Sequence, residues 1–208
     1  MKKTVLGILL LFAVGSFAQT TELPRFETYL GYDFTRVHSA INVPAFSANG
    51  GIGEFAINLN KWLSGVASFP IVHNGNIGGF HVEQTLFGYM FGPRVNLRLG
   101  HIIPSFETLF GQTHDSRSFR GVPVVLVGNG NVTTFQQRVV NDATEFSMLA
   151  GGALDLAINK NVTFRPIKLD YYLTRFQPIF IPNLGNFNRN RNQNNLLYST
   201  GINFRFGR

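Results

Sequence analysis

From Arg25 onward, apolar and polar residues alternate along the chain in a series of short stretches, the two-residue period of a strand whose faces meet different surroundings. The pattern predicts eight strands. The first covers about Arg25 to Arg36, with Phe26, Leu30, Tyr32 and Phe34 on one face and Glu27, Gly31 and Asp33 on the other. The second, about Gly51 to Asn60, sets Phe55, Ile57 and Leu59 against Glu54, Ala56 and Asn58, and a third runs from Trp62 to about Val72. In the fourth, about Gln84 to Arg98, Phe87, Tyr89, Phe91 and Val95 oppose Gly88, Gly92, Arg94 and Asn96. The fifth, about Ile102 to Thr113, turns Phe106 and Phe110 away from Glu107 and Gly111. A sixth is expected at about Thr144 to Ile158, a seventh at Asn161 to about Thr174, and the last from Asn195 to the end.

The segments between these strands alternate in length. Those at Asn60-Lys61, near Gly100 and at Asn159-Lys160 are tight, whereas those near 37 to 50, 73 to 83, 114 to 143 and 175 to 194 are long. Outer-membrane barrels have short periplasmic turns, longer extracellular loops and an even number of strands. The expected fold is therefore all-β, an eight-stranded antiparallel up-and-down transmembrane β-barrel. Within the third long segment, residues 122 to 127 and 129 to 134 could extend the flanking strands above the membrane as a hairpin.

A soluble barrel of the lipocalin type also has eight alternating strands, but its interior is apolar. Here the faces that read as interior collect Glu27, Asp33, Glu54, Arg94, Glu107, Asp155, Lys168, Asp170 and Arg205, while the aromatic faces are nearly free of charge. So many ions in an apolar core would be costly, whereas a polar lumen can pair and hydrate them. Closure between first and last strands would bring Glu27 to Arg205, and a turn near Gly100 would set Arg94 opposite Glu107. Both are expected lumenal ion pairs with a structural role. Trp62, Tyr171, Tyr198, Phe204 and Phe206 are candidates for the aromatic girdles at the membrane surfaces. Arg165 shares the parity of Leu169 and Tyr171, which would place it on the lipid face near an interface, snorkelling.

The amino-terminal stretch has two lysines, an apolar run from Val5 to Val14 and small residues before Gln19, the layout of an export signal. Residues 1–18 are expected to be removed and 19–208 to form the barrel domain. Loss of Lys2 and Lys3 would leave 16 basic against 11 acidic residues. That excess suits an anionic membrane surface, and nucleic acid is not an expected partner of an exported chain. Cysteine is absent, so no disulfide or thiolate metal site is available. Mean hydropathy is +0.06, the average of an oily outside and a polar inside.

Candidate chemistry is sparse. His114 and Ser116 could share a face with each other, and a carboxylate such as Glu107 or Glu145 could orient the histidine as in a hydrolase. The other histidines, His38, His73, His81 and His101, lack close ligand spacing, and no metal or cofactor is expected. Gly50-Gly51-Ile52-Gly53 has no helix after it and reads as strand glycine. The Asn-rich, basic segment from Asn183 to Asn195 reads as a solvated surface loop.

The stretches TLFGYMFGPRVNLR, IIPSFETLFG, FSMLAGGALDLAINKNVTFRPIKLDYYLTRF and NNLLYSTGINFRFG together resemble the outer-membrane β-barrel domain family related to OmpA and OmpX. The closing Ile-Asn-Phe-Arg-Phe is also similar to the carboxyl-terminal signal read by the outer-membrane insertion machinery, although Gly207 and Arg208 follow it. The resemblance implies export to the cell outer membrane, with lipid and lipopolysaccharide as surroundings and the insertion machinery as a partner during biogenesis. It is nearly silent on activity. The leading expectation is a non-enzymatic envelope or surface-interaction protein acting through its loops. A narrow porin-like channel and a lipid A-modifying hydrolase are the alternatives.

Overall fold

A computed structural model describes residues 23–37, 46–75, 82–128, 131–175, 180–181, 185–186 and 192–207. The segment read as an export signal, His38, His81 and most of the Asn-rich stretch lie outside the described residues. Among the described residues ten strands follow in chain order: β1 Phe26–Val37, β2 Phe46–Asn58, β3 Leu63–Asn74, β4 Val82–Asn96, β5 Ile102–Gly128, β6 Asn131–Ala157, β7 Val162–Arg175, β8 Phe180–Ile181, β9 Gly185–Asn186 and β10 Asn192–Phe206. Eight of them close into a barrel in the order β1-β10-β7-β6-β5-β4-β3-β2, and the short β8 and β9 pair only with each other. Every pairing is antiparallel, and the barrel closes through Phe26↔Phe206 to Arg36↔Leu196. The expected fold class is the one observed.

The tight turns owe their shape to asparagine. Asn60 Oδ1 accepts hydrogen bonds from the backbone N–H groups of Trp62 and Leu63, at 2.9 and 2.7 Å. Asn159 Oδ1 does the same for Asn161 and Val162, both at 2.8 Å. Each side chain thus mimics a backbone carbonyl and closes its turn. The third turn uses Gly100, whose φ of 70° a side chain would strain.

Two strands run well beyond the rest. β5 and β6 have 27 residues each and remain paired to Gly128↔Asn131, with a register shift between Phe119 and Val122. Their neighbours stop earlier: β4 pairs with β5 only as far as Val82↔Phe119, and β6 meets β7 only from Ser147↔Thr174. The long third connection is therefore a hairpin continuing the barrel wall, as residues 122 to 134 suggested.

The two faces of the wall are inverted relative to a soluble protein. Facing inward and buried are Glu27, Asp33, Glu54, Arg94, Glu107, Asp155, Arg165, Lys168 and Asp170. Facing outward are Leu30, Phe55, Ile71, Phe91, Phe106, Phe110, Phe146, Phe164, Leu169 and Ile202, with Phe106 63% exposed. A belt of this size in water would be a severe liability, whereas hydrocarbon solvates it and the closed sheet leaves no unpaired edge within it. No helix among the described residues is long and apolar enough to cross a membrane, which says nothing of a barrel whose strands carry the apolar belt.

Candidate functional site

The centre of the lumen is a lattice of ions built around Glu54 on β2. Its carboxylate accepts hydrogen bonds from Arg94 on β4, from Arg165 on β7 at 2.9 Å and from Lys168 on β7. Arg94 Nε also donates to Glu107 on β5 at 2.6 Å, and Arg165 donates to both oxygens of Asp155 on β6 at 2.5 and 3.0 Å. Lys168 Nζ lies 2.6 Å from Glu107 and 3.4 Å from Asp170. The Arg165 guanidinium also stacks on Tyr29 of β1, 4.2 Å from the ring centre. Gly151 on β6 is needed here, because a Cβ at that position would collide with the Asp170 carboxylate and backbone. The lattice ties β2, β4, β5, β6 and β7 together across the interior, with fixed partners of opposite charge standing in place of water.

An apolar layer of Ala56, Val66, Met90, Leu109, Leu149, Tyr172 and Leu197 also lies within the lumen, and the Tyr172 hydroxyl meets that of Thr113. Toward the short-turn end the lumen is capped by Glu27. Its oxygens accept from Asn58 at 2.8 Å, Asn203 at 2.9 Å and Arg98 at 3.0 Å. Charged lattice, apolar layer and cap together fill the barrel with side chains, as eight strands permit.

The structure places the two expected pairs opposite each other in register. Glu27 faces Arg205 across β1 and β10, and Arg94 faces Glu107 across β4 and β5. They differ in closeness: Arg94 and Glu107 are within 2.5 Å, whereas Arg205 Nε is 3.9 Å from Glu27. Glu27 is held more closely by Arg98 and two asparagines. Glu54, the common partner, was not singled out by pairing across neighbouring strands, because its three cations stand on β4 and β7 and only barrel closure unites them.

Arg165 corrects the parity argument. It is 1% exposed and lies in the lumen, not on the lipid face. The register between β10 and β7 shifts from Ser199↔Lys168 to Gly201↔Arg165, so β7 carries one extra residue around Pro166. The shift recurs against β6, from Leu154↔Ile167 to Leu156↔Phe164. This β-bulge inverts the alternation, so Thr163 and Arg165 point inward below it and Lys168 and Asp170 above it. Pro166 has no N–H for the ladder and is suited to the bulge.

On the outer face, the girdle candidates separate by height. Trp62, Phe204 and Phe206 lie toward the short turns, where Phe206 and Phe55 stack on Phe26 at 5.8 and 5.9 Å. Tyr171 lies toward the loops, and its hydroxyl donates to Asn194 at 2.6 Å. Tyr198 sits between, donating to the Pro166 carbonyl in the bulge at 3.0 Å. Two tyrosines outside the candidate set behave like Tyr171: Tyr32 donates to Asn49 at 2.7 Å and Tyr89 to Gln112 at 2.5 Å. Cross-strand pairs of His73 with Thr85, His114 with Thr144, and Arg36 with Ser47 continue this polar belt around the loop end. An amphipathic hydroxyl followed by an amide marks where hydrocarbon ends.

The hydrolase constellation does not assemble from the residues considered for it. His114 is exposed on the outer face and its Nδ1 pairs with Thr144 at 2.8 Å. Glu107 is locked in the lumen lattice, and Glu145 pairs in register with the inward-facing Thr113. Both carboxylates are thus on the opposite face of the sheet from His114 and Ser116.

No family model and no characterised protein matches the sequence. Solved structures do match in fold. The attachment invasion locus protein Ail of Yersinia pestis aligns over 88% of this chain and 99% of its own, with a TM-score of 0.56 and 14% identity. Neisserial surface protein A aligns over 87% and 97%, with 0.55 and 10%, and the outer membrane protein OprG of Pseudomonas aeruginosa over 89% and 97%, with 0.54 and 10%. Their shared architecture, an inward-facing ion lattice and an apolar outer belt lead to one conclusion. By fold, the chain is a small closed eight-stranded antiparallel β-barrel, similar to those of these outer-membrane proteins.

Proposed function

We propose that this barrel is a non-enzymatic surface-interaction protein whose working element is the β5–β6 hairpin. The observation that carries the reading is the reach of that hairpin. Among the described residues, β5 has no β4 beside it beyond Phe119, and β6 has no β7 beside it from Asn131 to Phe146. Each strand there offers one row of backbone donors and acceptors to an incoming extended segment, a common mode of partner recognition. The filled lumen supports an anchoring role over a conducting one, and the separation of His114 from the lumenal carboxylates supports a role without catalysis. Ail, similar in fold, has been crystallised with the heparin analogue sucrose octasulfate. Arg117, Arg120 and Arg138 on this hairpin make a sulfated polysaccharide a reasonable first ligand class to test here.

Replacing residues 120–138 by a two-residue Asn-Gly turn should leave the barrel folded, since no barrel pairing with β4 or β7 involves them. Cells displaying the shortened protein should lose most of the attachment to target surfaces that the full chain confers. Undiminished attachment by a folded, displayed variant would remove the hairpin from the function.

A further inference from the structure

The described residues at the two ends of the barrel differ in charge. The described rim at the short-turn end comprises residues 23–25, 59–62, 97–101, 158–161 and 207, and it contains no aspartate or glutamate. It does contain Arg25, Lys61, Arg98, His101 and Lys160. These fall at the β10/β1 seam and at the β2–β3, β4–β5 and β6–β7 turns, so every second strand junction around the circumference carries a base. The loop end is mixed, with Glu83, Asp115, Asp142 and Glu145 beside Arg36, Arg117 and Arg175.

The bases also stand at a particular height. Leu59 is 67% exposed and Ile158 66%, and Trp62 and Leu99 are exposed as well. Each belongs to the outer apolar belt, and Lys61, Arg98 and Lys160 lie within two residues of them in sequence. Cations next to the edge of the hydrocarbon are at the level of phospholipid phosphates, with an aromatic anchor in Trp62. Arg98 is committed to Glu27 and to the Lys61 carbonyl, at 3.0 and 3.2 Å. Arg25, Lys61 and Lys160 are exposed.

We propose that this basic rim selects anionic phospholipid headgroups in the leaflet that surrounds the short turns, so that phosphatidylglycerol-type lipids are enriched in the boundary shell there. Charge complementarity and height both favour a lipid phosphate. Attraction of this kind is electrostatic, falls off within about 10 Å at 0.1 M salt, and acts on the headgroup whatever the acyl chains.

The test uses the mature chain folded into phosphatidylcholine vesicles, with spin-labelled phosphatidylglycerol or phosphatidylcholine as probe. Electron paramagnetic resonance should show the anionic label favoured in the boundary shell by about three- to fivefold at low salt. The triple variant Arg25→Gln/Lys61→Gln/Lys160→Gln should bring that ratio close to unity, while Arg36→Gln/Arg175→Gln at the loop end should leave most of it. Heat-modifiable gel migration verifies folding; should the triple variant not fold, Lys61→Gln and Lys160→Gln singly should each lower the ratio. Absence of preference in the unmodified chain, preference that survives the rim substitutions, or preference lost only at the loop end would overturn the proposal. So would rim variants that release the protein from isolated peptidoglycan while the lipid ratio stays fixed, because the rim would then serve a cell-wall polymer.

Discussion

Glu54→Gln is expected to lower the unfolding free energy by about 3–5 kcal/mol, the cost of removing the carboxylate that three buried cations share and leaving the cluster short of one countercharge. The substitution keeps shape and removes one charge. Glu54 is the carboxylate shared by Arg94, Arg165 and Lys168, and its side chain is 1% exposed. Each cation keeps another partner: Glu107 for Arg94, Asp155 for Arg165, and Glu107 with Asp170 for Lys168. The barrel should therefore still close, with a lower urea midpoint. Trp62, the only tryptophan, lies on the outer rim and reports unfolding without touching the lattice. A loss well under about 1 kcal/mol would mean that these ions are hydrated and contribute little, as exposed pairs do.

The second large effect belongs to the outer face. Arginine in place of Leu30 or Phe110 should cost about 2–4 kcal/mol in a bilayer, the range for a cation near the midplane of a barrel's lipid face. Leu30 is 57% exposed and Phe110 49%, so neither substitution disturbs the interior. In an ordinary soluble protein, an exposed Leu→Arg change lies within about 0.5 kcal/mol of neutral. Urea unfolding in liposomes separates these outcomes, and a near-neutral result at both sites would mean that the apolar belt does not face hydrocarbon.

Much of this architecture was legible because a strand in a membrane carries two independent messages. Along β1, Leu30, Tyr32 and Phe34 fall outside and Glu27 and Asp33 inside, as strict alternation requires. Arg94 and Glu107 could be paired because a tight turn near Gly100 fixes which residues face each other. Alternation fails where the count changes: the extra residue near Pro166 moved Arg165 from the apparent lipid face into the lattice. The proline was a visible cue, since a proline inside a strand marks an edge or a bulge, and β7 has a partner on each side. The role of Glu54 was hidden for a different reason. Its contacts to Arg165 and Lys168 span more than 100 positions in sequence and depend on closure and stagger of the whole barrel, which no local pattern encodes. The hairpin beyond the membrane was visible only as β-prone residues within a long connection, because outside the lipid no second solvent imposes a period on the sequence.

Residence of the closed barrel in the outer membrane is tested most directly by gel migration of the protein extracted from the outer-membrane fraction of expressing Gram-negative cells. A closed, hydrogen-bonded barrel resists SDS until heated, so the unheated sample should run as a compact, faster band that converts to the position of the unfolded chain on boiling. Recovery in the soluble periplasmic fraction, or a single band unaffected by heating, would contradict a closed barrel in the outer membrane.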